Sequence, residues 1–373
     1  MGSIIIAVLT AIGIHCTVTI YEKYVGMPKT KAPIANAVAD ETAKDGNDDE
    51  EEAQGCWTKH ELTFTVLAEL SLGLKGRYMV RVAMVASQMG CMMAYLIYCG
   101  TVGTQYVPSV PEWVWVLVLY PIFLAVCQLR DIKMLLDWAA IGVFISFLCM
   151  VGTFGVCLAK VTDHGVADIA IGFDITKFPT FFGVMFFAME GITVVLPVVH
   201  TMKEPHKAHS MVFVVICGVA VSYMLVGIMG YLAYGDKSIA PMTENMPKGT
   251  FNDMLIFMRA IVVMVTFPVQ CYPLTNMADE IWPESPRLIR FHAVTLPTIA
   301  AILFPYMGEC VGIIGGAAMT MLGCVIPYTM YLAEFGVAMP SEKKWLLYAA
   351  LAVGCLLGLL ATIESTVALV EEV

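Results

Sequence analysis

Charge is what this chain has least of. Of its 373 residues only 14% are Asp, Glu, Lys or Arg, while 59% are hydrophobic and the mean hydropathy is +0.77. A soluble domain carries about 25% charged residues, so the shortage argues against a water-soluble globule and for a bilayer. The chain has twelve cysteines but no Cys-x-x-Cys, and most of them fall inside apolar runs. That pattern argues against a disulfide framework and against a zinc site. There is no Asn-x-Ser/Thr sequon and no basic stripe interleaved with aromatics, so nucleic acid is not a partner suggested by the sequence. Also lacking are a Ser/His/Asp set, a His-Glu-x-x-His motif, a Gly-rich phosphate loop and paired catalytic carboxylates, which argues against an enzyme. Rings of repeated polar residues, which a channel would want, are missing too.

What the sequence has is long apolar runs. Ten are long enough to be read as membrane spans: Ile4–Ile20, Tyr78–Val102, Trp113–Leu129, Leu135–Leu158, Thr180–Val199, Val212–Leu232, Met254–Leu274, Phe291–Pro305, Cys310–Leu332 and Trp345–Val370. All should be helical, because a backbone in lipid must satisfy its own hydrogen bonds. Ile4–Ile20 lacks the basic flank and small-residue cleavage site of a signal peptide and is kept as a span. The fold class is therefore an all-α polytopic membrane protein, residues 1–373 forming a single transmembrane domain. The net charge of −10 is largely local, in the block Asp40–Gly55, which reads as a disordered stretch of a loop covering 21–77.

Fifteen of the 21 Lys and Arg residues fall in the loops after spans one, three, five, seven and nine, and four in the opposite loops. The positive-inside rule then places loop 21–77 in the cytoplasm and both chain ends outside. An outside N-terminus only three residues before a span, with no basic anchor, suggests one further helix upstream.

The stretch "FFAMEGITVVLP" (Phe186–Pro197) sets Glu190 inside an apolar run. A charged acid there costs about 2.5–3.5 kcal/mol on insertion scales and usually faces a cavity or a partner. Gly191 tolerates unwinding, and Pro197 removes a helix hydrogen bond further on. Glu190 reads either as a group protonated and released during transport or as a protonated structural acid bonded to a neighbouring helix. Gln88 and Tyr95 share one helix face and either line a cavity or bond between helices. Gln270, between Pro268 and Pro273, is a polar group in a span expected to kink. Gly312/Gly316 and Gly354/Gly358 have the spacing of close helix packing. His15, beside Cys16, reads as a packed neutral histidine, and His206 and His209 flank a basic turn with no third metal ligand.

"FFAMEGITVVLPVVHTMKEP" followed by "GIMGYLAYGD" resembles the sixth and seventh helices of the amino acid/auxin permease superfamily, most closely its proton-coupled amino acid transporter branch. "GIHCTVTI" is similar to the second helix, "ASQMGCMMAYLIY" to the third, "QLRDIKML" to the hinge before the fifth, "VQCYPLTNMADEI" to the eighth and "GIIGGAAMTMLGCVIP" to the tenth. The resemblance implies a leucine-transporter-type inverted-repeat bundle whose first and sixth helices are broken around the substrate. Here Met1-Gly2-Ser3 falls where the second helix starts, so about ten helices, the family's second to eleventh, are expected. After Pro197 the branch usually carries an acid and an asparagine, where this chain has Val199 and His200.

By that resemblance Phe187, Ala188, Met189, Glu190, Gly191 and Thr193, with Gln88, Tyr95 and Gln270, contact substrate, and Glu190 is the coupling candidate. The implied function is secondary active transport of small neutral amino acids, driven by a proton or sodium gradient through alternating access. No cofactor and no metal are expected. The partners are the amino-acid substrate and the bilayer, with no nucleic acid, and the setting is the plasma membrane or a vacuolar/lysosomal membrane. The absent first helix leads to the expectation that the chain as written is inactive. The alternative is an amino-acid sensor, or a truncated inactive protein, of the same fold.

Overall fold

The computed structural model describes residues 2–27, 57, 61–128, 132–169, 174–189, 191–204, 207–238, 242–281 and 286–372. The acidic block Asp40–Gly55 lies outside them. Among the described residues there are helices and no strands. In chain order these are α1 (Gly2–Tyr24), α2 (Phe64–Leu72), α3 (Leu74–Tyr106), α4 (Glu112–Val126), α5 (Ile132–His164), α6 (Phe178–Ala188), α7 (Ile192–Thr201) and α8 (Ala208–Tyr234). They are followed by α9 (Thr250–Ile281), α10 (Pro286–Leu303), α11 (Met307–Ile314), two π-helical turns at Gly315–Met319 and Met321–Val325, α12 (Ile326–Phe335) and α13 (Ser341–Glu372).

Among the described residues each of the ten apolar runs is helical over most of its length, and the protein is an all-α polytopic membrane protein. Seven helices among the described residues are long and apolar enough to cross a membrane, the run through α11, the π turns and α12 counting as one. The remaining runs are shorter. Helix α4 has 15 residues, α10 has 18 with Pro297 inside, and the fifth run is split into α6 and α7. Several helices outlast their apolar run, α3 by a turn at each end, because helical hydrogen bonding continues where hydropathy stops. Helix α9 continues through Pro268 and Pro273 without a break in its helical residues.

The chain forms two compact units. The first comprises Met1–Met84, Phe181–Ala220 and Gly315–Thr362. Its core gathers Tyr21 and Tyr24 of α1, Leu67 of α2, Ile192 and Leu196 of α7, and Ile326 and Met330 of α12. Helix α1 packs along α12: the Tyr328 hydroxyl donates to the Leu9 carbonyl at 2.7 Å, and Glu334 takes both the Lys23 ammonium and, at 2.6 Å, the Tyr24 hydroxyl. Thr63 caps α2 by accepting from the Val66 N–H at 3.4 Å. Gly73 ends it with a φ of 75° that a side chain would strain, and its N–H donates to the Glu69 carbonyl.

The second unit comprises Val85–Thr180, Val221–Ile314 and Ile363–Val373. There α5 lies along α9, with Gly142 and Gly152 making room for Thr266 and Leu255. Helix α10 packs on α4 and α9, tied by Tyr120 to Thr295 at 2.7 Å and by the Arg290 guanidinium donating to the Gln128 carbonyl at 3.2 Å. Leu225 and Ile228 of α8 are among the exposed apolar side chains of this unit, the surface expected of a helix solvated by lipid rather than water.

Candidate functional site

The sequence resemblance puts the site where α6 gives way to α7. Helix α6 is a phenylalanine-rich apolar rod that stops at Ala188, and the Met189 N–H still reaches the Met185 carbonyl at 3.0 Å. Helix resumes at Ile192, with Gly191 at its N-cap. Gly191 has φ −168°, extended backbone open to any residue, so its glycine is not demanded by conformation. Open space surrounds the position a β-carbon would take there. No side-chain cap hydrogen bond serves the start of α7. The N–H groups there carry the positive end of the α7 dipole.

Of the residues expected to contact substrate, Phe187, Ala188 and Thr193 are half-buried and Met189 is buried. Gly191 stands at the break itself. Glu190, the coupling candidate, lies outside the described residues.

The wall behind the break is built of glycine. A methyl group on Gly315 would lie 1.8 Å from the Gly183 carbonyl oxygen of α6, so the two backbones touch. The same added carbon would meet the Phe187 β-carbon at 3.1 Å. Gly323 faces Phe186, and on its other side its carbonyl oxygen is 2.0 Å from where a Gly13 β-carbon would be. Gly316 and Gly358 abut each other in the same way, as their spacing led us to expect. The Phe182 and Phe186 rings, both fully buried, lie 4.8 Å apart and complete the packing of α6.

The two π turns sit at this crossing. Each closes its hydrogen-bonded rings over one residue more than an α-helix does, a distortion frequent at functional sites. Thr320, between them, donates its hydroxyl to the Gly315 carbonyl at 2.9 Å.

The other expected contacts, Gln88, Tyr95 and Gln270, lie in the second unit. There Tyr95 lies near the Gln270 and Thr266 side chains and packs 6.5 Å from the Phe267 ring, so two of the three are brought together. Gln88, two turns away on α3, is fully buried, and its Oε1 has no hydrogen-bond partner among the described residues.

Sequence reasoning missed two clusters in the first unit. One is the Lys23–Glu334–Tyr24 set. The other joins His15, expected to be packed and neutral beside Cys16, to His209: the two Nδ1 atoms are 3.0 Å apart, and His15 is exposed rather than packed. The partners are 194 residues apart in the chain, so no local spacing announces them. Among the described residues, no group of three or more His, Cys, Asp or Glu could hold a metal ion.

The comparison with known proteins agrees with this architecture. The family described as transmembrane amino acid transporter protein matches residues 53–370. The chain is 24% identical to the amino acid transporter AVT3B of Arabidopsis thaliana over 83% of this chain and 79% of that protein. It is 25% identical to the vacuolar amino acid transporter 3 of Schizosaccharomyces pombe over 55% of this chain and 32% of the yeast protein. It is 27% identical to the proton-coupled amino acid transporter-like protein pathetic of Drosophila melanogaster over 52% of this chain and 44% of the fly protein. A match over most of the chain, on an all-helical protein, makes this protein a member of the transmembrane amino acid transporter family.

Proposed function

We propose that the protein moves small neutral amino acids across an acidic-organelle membrane, coupled to protons, by alternating access. The observation that carries this reading is the interruption between Ala188 and Ile192, in a family of amino acid transporters. An unwound stretch inside a membrane helix is tolerated where it lines a cavity. The N-terminal end of α7, which has no side-chain cap, would attract a substrate carboxylate through the helix dipole. The open space at Gly191 leaves room for the small α-carbon region of an amino acid. The substrate ammonium would be met by carbonyls freed at the end of α6. Glu190 is assigned the proton, because a charged acid in an apolar run is costly unless it is neutralised or faces a cavity or partner. The vacuolar yeast relative and the proton-coupled fly relative motivate the membrane and the coupling ion.

Purified protein in proteoliposomes tests this. Imposed proton gradients should drive saturable uptake of alanine or glycine, with lysine and glutamate excluded and sodium without effect; no uptake of any kind would instead match the expectation of an inactive chain. Glu190→Gln should flatten the pH dependence. Tyr95→Phe tests the contacts assigned to the second unit and should raise KM. Binding of alanine with no uptake under any gradient would overturn transport and favour the sensor reading. Sodium-driven uptake indifferent to pH would overturn the proton.

A further inference from the structure

On the surface of α1, His15 and Glu22 lie seven residues apart and so share a face. His209, in the first turn of α8, bridges them. Its Nδ1 is 3.0 Å from the Nδ1 of His15, and its Nε2 is 3.4 Å from the Oε2 of Glu22. The imidazole rings are 4.7 Å apart between centroids, tilted by 55°. All three residues belong to the first compact unit. Beside them runs a groove of about 470 Å³, lined by Val8, Ile12, His15, His209, Ser210 and Phe213 among others.

Hydrogen-bond chemistry fixes the direction of this chain of groups. A carboxylate only accepts, so the Nε2–H of His209 donates to Glu22. A neutral His209 then offers a lone pair at Nδ1, and the Nδ1–H of His15 donates to it. The Nε2 of His15 is left as the acceptor at the far end. Both rings cannot be cations in this geometry, since two N–H groups would then point at each other. Ionisable side chains chained together within membrane spans mark proton pathways.

We propose that His15, His209 and Glu22 form a proton relay that carries protons between the α1–α8 groove and the loop end of α1. A proton arriving at His15 Nε2 is matched by transfer of the His15 Nδ1 proton to His209 Nδ1. The His209 Nε2 proton passes in turn to Glu22. One proton has entered at His15 and one sits on the carboxyl of Glu22, which is 44% exposed in its side chain and releases it to water. Both imidazoles are then in the opposite tautomer, and passage in reverse or ring rotation restores them. From Glu22 to His15 the relay advances about 10 Å along the helix, at 1.5 Å per residue.

The other titratable groups packed on α1 are engaged elsewhere. Glu334 of α12 takes Lys23 and Tyr24, and His200 of α7 stacks on Tyr21 at 5.3 Å. Cys16, Cys324 of the π segment and Tyr328 of α12 meet at the buried face of α1, away from His15.

This relay deepens the proposed proton coupling and rests on it for its physiological use. The deciding pair of measurements separates the two. In proteoliposomes, His209→Gln should lower uptake driven by a pH gradient about tenfold or more. Exchange of labelled for unlabelled substrate at equal pH, which needs no net proton movement, should stay within about twofold of the wild type. Equal loss of both, or loss of neither, overturns the relay. Should the wild type transport nothing, the transport reading fails and histidine-15N NMR of the protein in nanodiscs still decides the relay. His15 and His209 should titrate as one coupled pair joined by a shared Nδ1–H–Nδ1 bond, and His209→Gln should leave His15 titrating alone. Two rings that titrate independently in the wild type overturn it.

Discussion

The first unit interrupts helical geometry twice, in opposite ways. Between Ala188 and Ile192 the helix is lost, and space is open around Gly191. Between Gly315 and Val325 the helix is kept but widened into π turns, with glycines pressed against the backbones of α6 and α13. A break frees backbone amides and carbonyls, which in a membrane must find a ligand, water or another chain segment. A π turn keeps its amides bonded at i→i+5 spacing and frees little. Glycine therefore serves different ends in the two places. At Gly191 neither φ nor packing demands it, which leaves room for a ligand as its use. At Gly315 packing alone demands it.

The largest effect expected from this comparison is at Gly315. An alanine there puts a methyl group 1.8 Å from a backbone oxygen of Gly183, and neither partner is the flexible end of a side chain. Overpacking of this kind costs about 1–3 kcal/mol and occasionally more. Gly315→Ala should lower the thermal unfolding temperature in detergent by many degrees or abolish the monodisperse folded protein. Gly155→Ala, where a β-carbon meets nothing within 4 Å, is the control and should be neutral or slightly stabilising. Equal behaviour of the two variants would break the distinction between a packing glycine and a free one.

The break was legible in the sequence and the widened helix was not. The discontinuity was expected from the resemblance of the Glu190-Gly191 motif to a broken helix, with Gly191 read as tolerating unwinding, whereas Pro197 lies inside α7 and does not end it. The ten helices were legible because apolar length is a local property. The π turns arise where α1, α6 and α13 all close on one stretch of chain, so their cause lies in residues such as Gly13, Gly183 and Gly358, far away in sequence. The Gly-x-x-x-Gly spacings foretold close packing but not the partner, which for Gly312 is Ser365 and for Gly354 is Cys324. Of the candidate site, Tyr95 and Gln270 were each singled out by polarity, but neither their nearness nor the meeting of His15 with His209 was legible.

A smaller effect is expected between the π turns. Thr320→Val keeps the shape of the buried side chain and removes only the bond from its hydroxyl to the Gly315 carbonyl. Net loss of one such bond is about 0.5–1.5 kcal/mol. The variant should fold, unfold a few degrees earlier, and retain uptake. A collapse comparable to that of Gly315→Ala would mean that the hydroxyl, rather than the glycine contact, holds the widened turns.

The smallest effect on stability, and the sharpest test of the comparison, is at Gly191. Its backbone is extended and a β-carbon would meet no heavy atom within 4 Å, so Gly191→Ala strains nothing in the protein alone. Substitutions free of such mechanisms usually fall within ±0.5 kcal/mol, and the unfolding temperature should stay within about a degree or two of the wild type. Transport should respond differently. A methyl group at the break enters the space assigned to the α-carbon region of the substrate, so KM for alanine should rise more than KM for glycine. A uniform change in both, or none, would show that open space at Gly191 is not where the substrate lies. A large fall in stability would show instead that this glycine, like Gly315, is held by packing.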